Sequence, residues 1–313
     1  MTTTVPAPVA WYGCMGLGGG WDTEPYRPAD VDAAEAAVQA ALDIGITAFD
    51  HADIYRHGKA EAVFGEVLAR TPGLRERILL QSKCGIRLGS PGYYDLRGPS
   101  IAERVEQSLT RLRTDHLDVL LLHRPDPLAD PAGIAAALHR LHEQGLVRSF
   151  GVSNMSGAQI TSLQAELDQP LVANQLEMSL ARRNWVEAGV LVNTPEAAAV
   201  GFPHGTLEHC RAHGIRLQAW GALAQGAYTG RQQTPEEVAT AELVIELAKA
   251  KDTTPEAVVL WWLRRHPAGI APVIGSSTPS RIQACHDAVA REPELTHEEW
   301  YTLWTTARGA ALP

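Results

Sequence analysis

The chain has 313 residues, of which 45% are hydrophobic and 20% charged, and a net charge of −9. That length suits one large α/β barrel or two ordinary domains, and no apolar run reaches the roughly 18 residues of a membrane span. The acidic balance, with Lys and Arg scattered, argues against a nucleic-acid partner, which calls for a basic face.

The opening MTTTVPAPVA has neither a basic nor an apolar leader region, so no signal peptide is expected. Cys14, Cys84, Cys210 and Cys285 lack CxxC spacing and read as free thiols of a reducing compartment, which predicts a cytoplasmic protein.

Short apolar runs predict strands at Val9–Leu17, Gly45–Asp50, Arg77–Lys83, Leu117–His123, Val147–Ser153, Leu171–Gln175, Ile215–Trp220 and Ile270–Ile274. Continuous runs such as the leucines before His123 suit strands buried on both faces, as in parallel sheets. Helical patterns separate them. Asp30 precedes VDAAEAAVQAALDIG, which Gly45 closes; Pro99-Ser100, Pro131 and Thr234-Pro235 open three more. This alternation along an undivided chain predicts one α/β domain over residues 1–313, a (β/α)8 TIM barrel. Gly16 to Gly20 are glycine-rich, but no helix follows as a dinucleotide fingerprint requires. Two stretches exceed the repeat: a long loop near 181–203, and an extra C-terminal helix at Thr296–Arg308.

Chemistry in such a barrel gathers at the C-terminal ends of the strands. Here those ends are Gly16, Asp50, Lys83, His123, Ser153-Asn154, Gln175, Trp220 and Gly275-Ser276. Tyr55, in FDHADIYRHGKAE, follows Asp50 closely enough to fold back over the mouth. A free tyrosine is a poor acid at neutral pH, but a nearby ammonium favours its phenolate and lowers its pKa. Asp50 would keep Lys83 charged, and His123 could hydrogen-bond a substrate oxygen. Together these groups can protonate a carbonyl oxygen; none can supply hydride, so a cofactor is implied.

The motifs DHADIY, SKCGI, HRPDPL and FGVSN make the sequence similar to the aldo-keto reductase superfamily, and to a bacterial group of predicted oxidoreductases within it, from Val9 to Arg308. The resemblance implies a catalytic tetrad of Asp50, Tyr55, Lys83 and His123. It implies NADPH across the barrel mouth, hydride transfer to a small aldehyde or ketone, and proton donation by Tyr55. Ser153, Asn154 and Gln175 match the carboxamide-binding set, and Trp220 the aromatic stacked on the nicotinamide. Gly221, Leu223 and Gly226 fall in the segment over the pyrophosphate. Gly275, Ser276, Ser277, Thr278 and Arg281 match the adenosine end, where a guanidinium can hold the 2′-phosphate. No metal is implied, and the expected state is a monomer or weak oligomer.

Departures from that pattern are specific. No basic residue precedes Arg281 in its motif, and Ala284-Cys285 replace polar adenine contacts, which leaves NADH open as cofactor. Arg56-His57-Gly58 follow Tyr55, and Gly221-Ala222-Leu223 follow Trp220.

The remaining residues read as structural: His51 a buried, hydrogen-bonded histidine, Asp53 a turn or cap, Cys84 a structural thiol rather than an oxidation-sensitive one activated by Lys83, and Trp261, Trp262, Trp300 and Trp304 packing. Arg124 shapes its loop or meets an anionic substrate; Glu177 stays unassigned. Trp21, Tyr93, Tyr94 and Trp185, with the 181–203 loop, are expected to wall the pocket. Two other functions stay open: a nucleotide-binding regulatory subunit with little turnover, and a Schiff-base aldolase using Lys83. A metal-dependent hydrolase lacks the ligand pairs it needs.

Overall fold

The computed structural model describes residues 8–313, so the expectation of a leader-free start concerns residues 1–7, outside the described residues. Its strands are β1 (Trp11–Gly13), β2 (Ala48–Asp50), β3 (Leu79–Cys84), β4 (Ile86–Arg87), β5 (Tyr93–Tyr94), β6 (Leu117–Leu122), β7 (Val147–Ser153), β8 (Leu171–Glu177), β9 (Arg216–Trp220) and β10 (Ala271–Ile274). Eight of them close a parallel barrel in the order β1-β10-β9-β8-β7-β6-β3-β2, surrounded by helices, which is the expected (β/α)8 fold. β4 and β5 form a separate antiparallel hairpin that the sequence reading did not include. Among the described residues no helix is long and apolar enough to cross a membrane.

Alternation along each strand sorts side chains between two environments. Tyr12, Phe49, Leu80, Leu217 and Ile274 face the large core beneath the helices. Trp11, Ala48, Ala271 and Val273, with Leu79 against them, form a small separate apolar cluster that plugs the barrel. Above the plug lies a buried amide layer. Gln81 Nε2 donates to Gln218 Oε1 at 2.9 Å, Gln218 Nε2 donates back to Gln81 Oε1 at 3.0 Å, and Gln175 Nε2 also reaches Gln218 Oε1 at 2.9 Å. Gln81 Nε2 further donates to Asp50 Oδ1 at 2.6 Å, so the layer supports the first residue of the mouth.

Two glycines fix the approach to that mouth. Gly45, at φ +87°, takes the chain out of the helix Pro28–Asp43 toward β2. Gly18, at φ +85°, lies so close to Lys59 that an added Cβ would sit 2.8 Å from its carbonyl carbon. The glycine-rich stretch thus serves a close packing contact with the segment following Tyr55.

The connection near 181–203 contains a helix, Asn184–Val190, and a 3-10 turn, Pro195–Ala199. Trp185 is buried and meets Trp262 edge-on, with ring centroids 5.5 Å apart. Trp262 in turn stacks on Trp300 of the extra C-terminal helix, His297–Arg308, at 5.1 Å and 10°. The indole N–H of each of Trp262 and Trp300 donates to the other's backbone carbonyl, at 3.2 and 2.8 Å. The tryptophans on the C-terminal helices are packing residues, as read from the sequence.

Candidate active site

The C-terminal strand ends surround a cavity of about 580 Å³. Asp50 ends β2, and Lys83 comes from the neighbouring strand β3. Lys83 Nζ donates to Asp50 Oδ2 at 2.7 Å, to the His51 carbonyl at 2.9 Å and to the Tyr55 hydroxyl oxygen at 3.0 Å. Both charged residues are almost fully buried, at 1% and 2% exposed. The His123 ring stands edge-on to Tyr55, centroids 6.1 Å apart. The four residues read as a tetrad therefore meet at one place; Asp50, Tyr55 and His123 line the cavity while Lys83 lies behind them.

Electrostatics set the protonation of this group. Burial presses Lys83 toward neutrality, but Asp50 and then Tyr55 outweigh it and hold the ammonium above its ordinary pKa. That opposes the neutral amine a Schiff-base nucleophile needs. Burial raises the Tyr55 pKa more than Lys83 lowers it, so the phenol sits above its ordinary value. The sequence had suggested the opposite direction, because the lysine is legible there and the desolvation is not. Burial, then Lys83 and Arg124, push His123 well below the usual imidazole range. Its Nδ1 is buried without a protein partner.

On the next strands, Ser153 Oγ donates to the Gln175 carbonyl at 2.8 Å, and Asn154 Nδ2 donates to Ser153 Oγ at 2.8 Å and to the His123 carbonyl at 3.3 Å. Trp220 Nε1 completes the chain by donating to Asn154 Oδ1 at 3.3 Å. Asn154 holds a left-handed φ of 57°. These residues line the cavity, as do Gly221, Leu223 and Gly226 in the loop after β9. That loop includes Ala224 and Gln225 at φ 48° and 54°, a conformation strained for non-glycine residues and typical of ligand clamps.

Of the segment after β10, Gly275, Ser276 and Arg281 line the cavity. Ser277 and Thr278 are exposed on the turn between them and do not line it. The Tyr12 hydroxyl donates to the Ser276 carbonyl at 3.0 Å and pins this turn to β1.

Several expected wall residues lie elsewhere. Trp21 lines the cavity, but Tyr93 and Tyr94 are exposed on the β4–β5 hairpin and Trp185 packs outside the barrel. The 181–203 connection contributes no lining residue. Conversely Arg231 and Glu256 line the cavity and were not anticipated. Arg231 follows the glycine loop, so its position was a legible signal; nothing in the sequence marks Glu256.

Neighbouring residues behave differently from the tetrad. His51 is fully buried against Phe64, ring centroids 4.6 Å apart, with neither nitrogen hydrogen-bonded, and burial followed by the Lys83 charge lowers it to about 3. It is buried, as expected, and does not line the cavity, but the hydrogen bonds expected of a structural histidine are not made. Asp53 lies in the turn closed by the Tyr55 N–H donating to the Ala52 carbonyl at 3.0 Å, as expected of a turn residue, but its side chain caps nothing. It is buried, its carboxylate makes no hydrogen bond, and its closest cation is Arg104 Nε at 3.6 Å. Burial first and Glu61 second raise it to about 7. Burial also raises the Cys84 thiol, which keeps it inert.

Residues 11–305 match the Aldo/keto reductase family. The chain is 37% identical to the uncharacterized oxidoreductase YcsN of Bacillus subtilis over 94% of each chain. It is 34% identical to a 6-dehydroglucose reductase of Novosphingobium aromaticivorans, over 98% of this chain and 93% of that one. Among solved structures, an aldo/keto reductase from Klebsiella pneumoniae in complex with NADP and acetate superposes with a TM-score of 0.76 at 25% identity, covering 98% and 93% of the two chains. With the barrel, the strand-end residues and the family match in agreement, the chain belongs to the aldo/keto reductase family of oxidoreductases.

Proposed function

We propose that this chain reduces the carbonyl group of a small aldehyde or ketone to an alcohol, with NADPH as cofactor and Tyr55 as the proton donor. The observation that carries this reading is the single ammonium of Lys83 bonded at once to Asp50 and to the Tyr55 hydroxyl. A relative named for reducing 6-dehydroglucose, and a structural neighbour in complex with NADP, support it.

The cavity fits a dinucleotide. Its lining includes Trp220 and Asn154 and two guanidiniums, Arg231 and Arg281, beyond the glycine loop. In this reading Ser153, Asn154 and Gln175 hold the carboxamide, and Trp220 supports the ring. Gly221, Leu223 and Gly226 cover the pyrophosphate. Gly275, Ser276 and Arg281 hold the adenosine end with its 2′-phosphate, joined by Arg231, while Ser277 and Thr278 contribute from the turn. When bound, the nicotinamide supplies the hydride.

The protein's own part is the proton and the position. The raised pKa keeps Tyr55 protonated at neutral pH, so its O–H is present to be given to the carbonyl oxygen. Lys83 stabilises the phenolate left behind, and Asp50 keeps Lys83 charged and fixed. Neutral His123 orients the same oxygen by hydrogen bonding. We read residues 1–313 as one barrel unit that works on a small molecule without nucleic acid, as a monomer or weak oligomer in the cytoplasm.

Quenching of tryptophan fluorescence by NADPH and by NADH tests the cofactor, since Trp220 and Trp21 line the cavity. NADPH should bind more tightly than NADH, and aldehyde reduction should follow in the loaded protein. Binding of neither nucleotide would remove the cofactor site and the proposal with it.

A further inference from the structure

We propose that Arg124 is a specificity-determining residue that binds an acidic group, a carboxylate or phosphate, carried by the carbonyl substrate. The inference rests on the carbonyl-reduction reading and names the substrate class of that same site. Arg124 immediately follows His123 beyond β6, is half-buried and lines the cavity with Tyr55.

Its guanidinium has neither an ion pair nor a hydrogen bond among the described residues. The other half-buried arginines are all engaged: Arg75, Arg111 and Arg183, for example, reach carboxylates, and Arg56 and Arg264 donate to backbone carbonyls. A partly desolvated cation without a partner is costly, so its retention in a cavity points to a ligand that supplies the anion. The acidic residue nearest in sequence, Asp126, makes no ion pair with Arg124. Both Asp126 oxygens accept backbone N–H groups, Leu96 at 2.9 Å and Leu128 at 2.9 Å, which hold the loop while leaving Arg124 free. Pro125 and Pro127 stiffen that loop further.

The cofactor does not account for this charge. In the ring order, β6 lies opposite β10, and Arg281 follows β10. Arg231 follows β9. The dinucleotide phosphates therefore belong to the far side of the cavity. Of the carboxylates lining the cavity, Asp50 is bound to Lys83 and Gln81, and Glu256 sits on the helix leading into β10. Trp21, Ile54 and Met15 also line the cavity and are uncharged. A planar guanidinium can hold a carboxylate or a phosphate through two parallel hydrogen bonds.

The test compares kcat/KM with NADPH for two pairs of aldehydes: 4-oxobutanoate against butanal, and glyceraldehyde 3-phosphate against glyceraldehyde. Wild type should prefer the charged member of at least one pair by roughly ten-fold or more, the scale of one charge-assisted contact. The pair that responds assigns carboxylate or phosphate. Arg124→Met should bring that ratio to about one, and Arg124→Lys should restore part of it. NADPH quenching of each variant checks that it is folded. A wild-type ratio of one or less in both pairs overturns the inference and leaves carbonyl reduction standing, as does a ratio unchanged in Arg124→Met. Failure of the NADPH-loaded protein to reduce any of the four aldehydes overturns both.

Discussion

Lys83 Nζ lies 3.0 Å from the Tyr55 hydroxyl, and the same ammonium is 2.7 Å from Asp50. If that contact stabilises a phenolate formed during turnover, Tyr55→Phe should lower kcat roughly 10²- to 10⁴-fold, the range of general acid catalysis. NADPH affinity should stay within a few fold, because the variant keeps the ring. Unchanged turnover would sink the tyrosine mechanism. The pH profile carries a second expectation. Tyr55 and Lys83 are shifted upward and His123 downward, so none of the three titrates between about pH 6.5 and about pH 10. Reduction should be flat across that window, and a bend inside it would have to come from another group.

Asp50 is bonded to Lys83 on one oxygen and to Gln81 on the other. Asp50→Asn leaves a buried ammonium without its counter-charge. Breaking a buried pair this way costs about 3–5 kcal/mol. The variant should lose stability in chemical denaturation and most of its turnover together. Full stability with lost turnover would mean that Lys83 finds another anion.

The barrel was legible because its strands are continuous apolar runs ending in polar residues, as at Leu117–Leu122 followed by His123. The tetrad was legible for the same reason, since each member ends or closely follows such a run. The amide layer was not. Gln81 and Gln218 differ from surface glutamines only in which barrel face they occupy, and that depends on register within short strands. The direction of the Tyr55 shift was missed because desolvation belongs to the assembled site. Trp185 was misplaced because an aromatic in a long connection fits a pocket wall as well as an outer packing site. Only the partner, Trp262, decides between them.

That partner makes a prediction of its own. Trp185, Trp262 and Trp300 join the 184–190 helix and the C-terminal helix outside the cavity. Trp300→Ala should cost about 3–5 kcal/mol, the range for deleting a buried aromatic. NADPH quenching and aldehyde KM should change little, since none of the three lines the cavity. A ten-fold rise in KM at unchanged stability would restore the 181–203 connection as a pocket wall.

Asp53 offers the clearest pH signature. Its folded pKa of about 7 lies above the roughly 3.9 of an unfolded aspartate. Between those values the native state holds a proton that the unfolded chain has released, so stability falls as pH rises from about 4 to about 7. Above pH 7 the native carboxylate is ionised and buried, and Arg104 at 3.6 Å offsets this only in part. Asp53→Asn removes the titration and keeps the shape. Its unfolding free energy, measured by urea titration from about pH 5 to about pH 8, should lose this slope. Relative to wild type the variant should gain on the order of 3 kcal/mol between the two ends. The opposite change, a variant that loses ground as pH rises, would mean that Asp53 is ionised throughout and that Arg104 holds it so. Because Asp53 lies two residues before Tyr55, the same variant also identifies any bend near pH 7 in the reduction profile: a bend due to Asp53 disappears in Asp53→Asn, and a bend that persists belongs elsewhere.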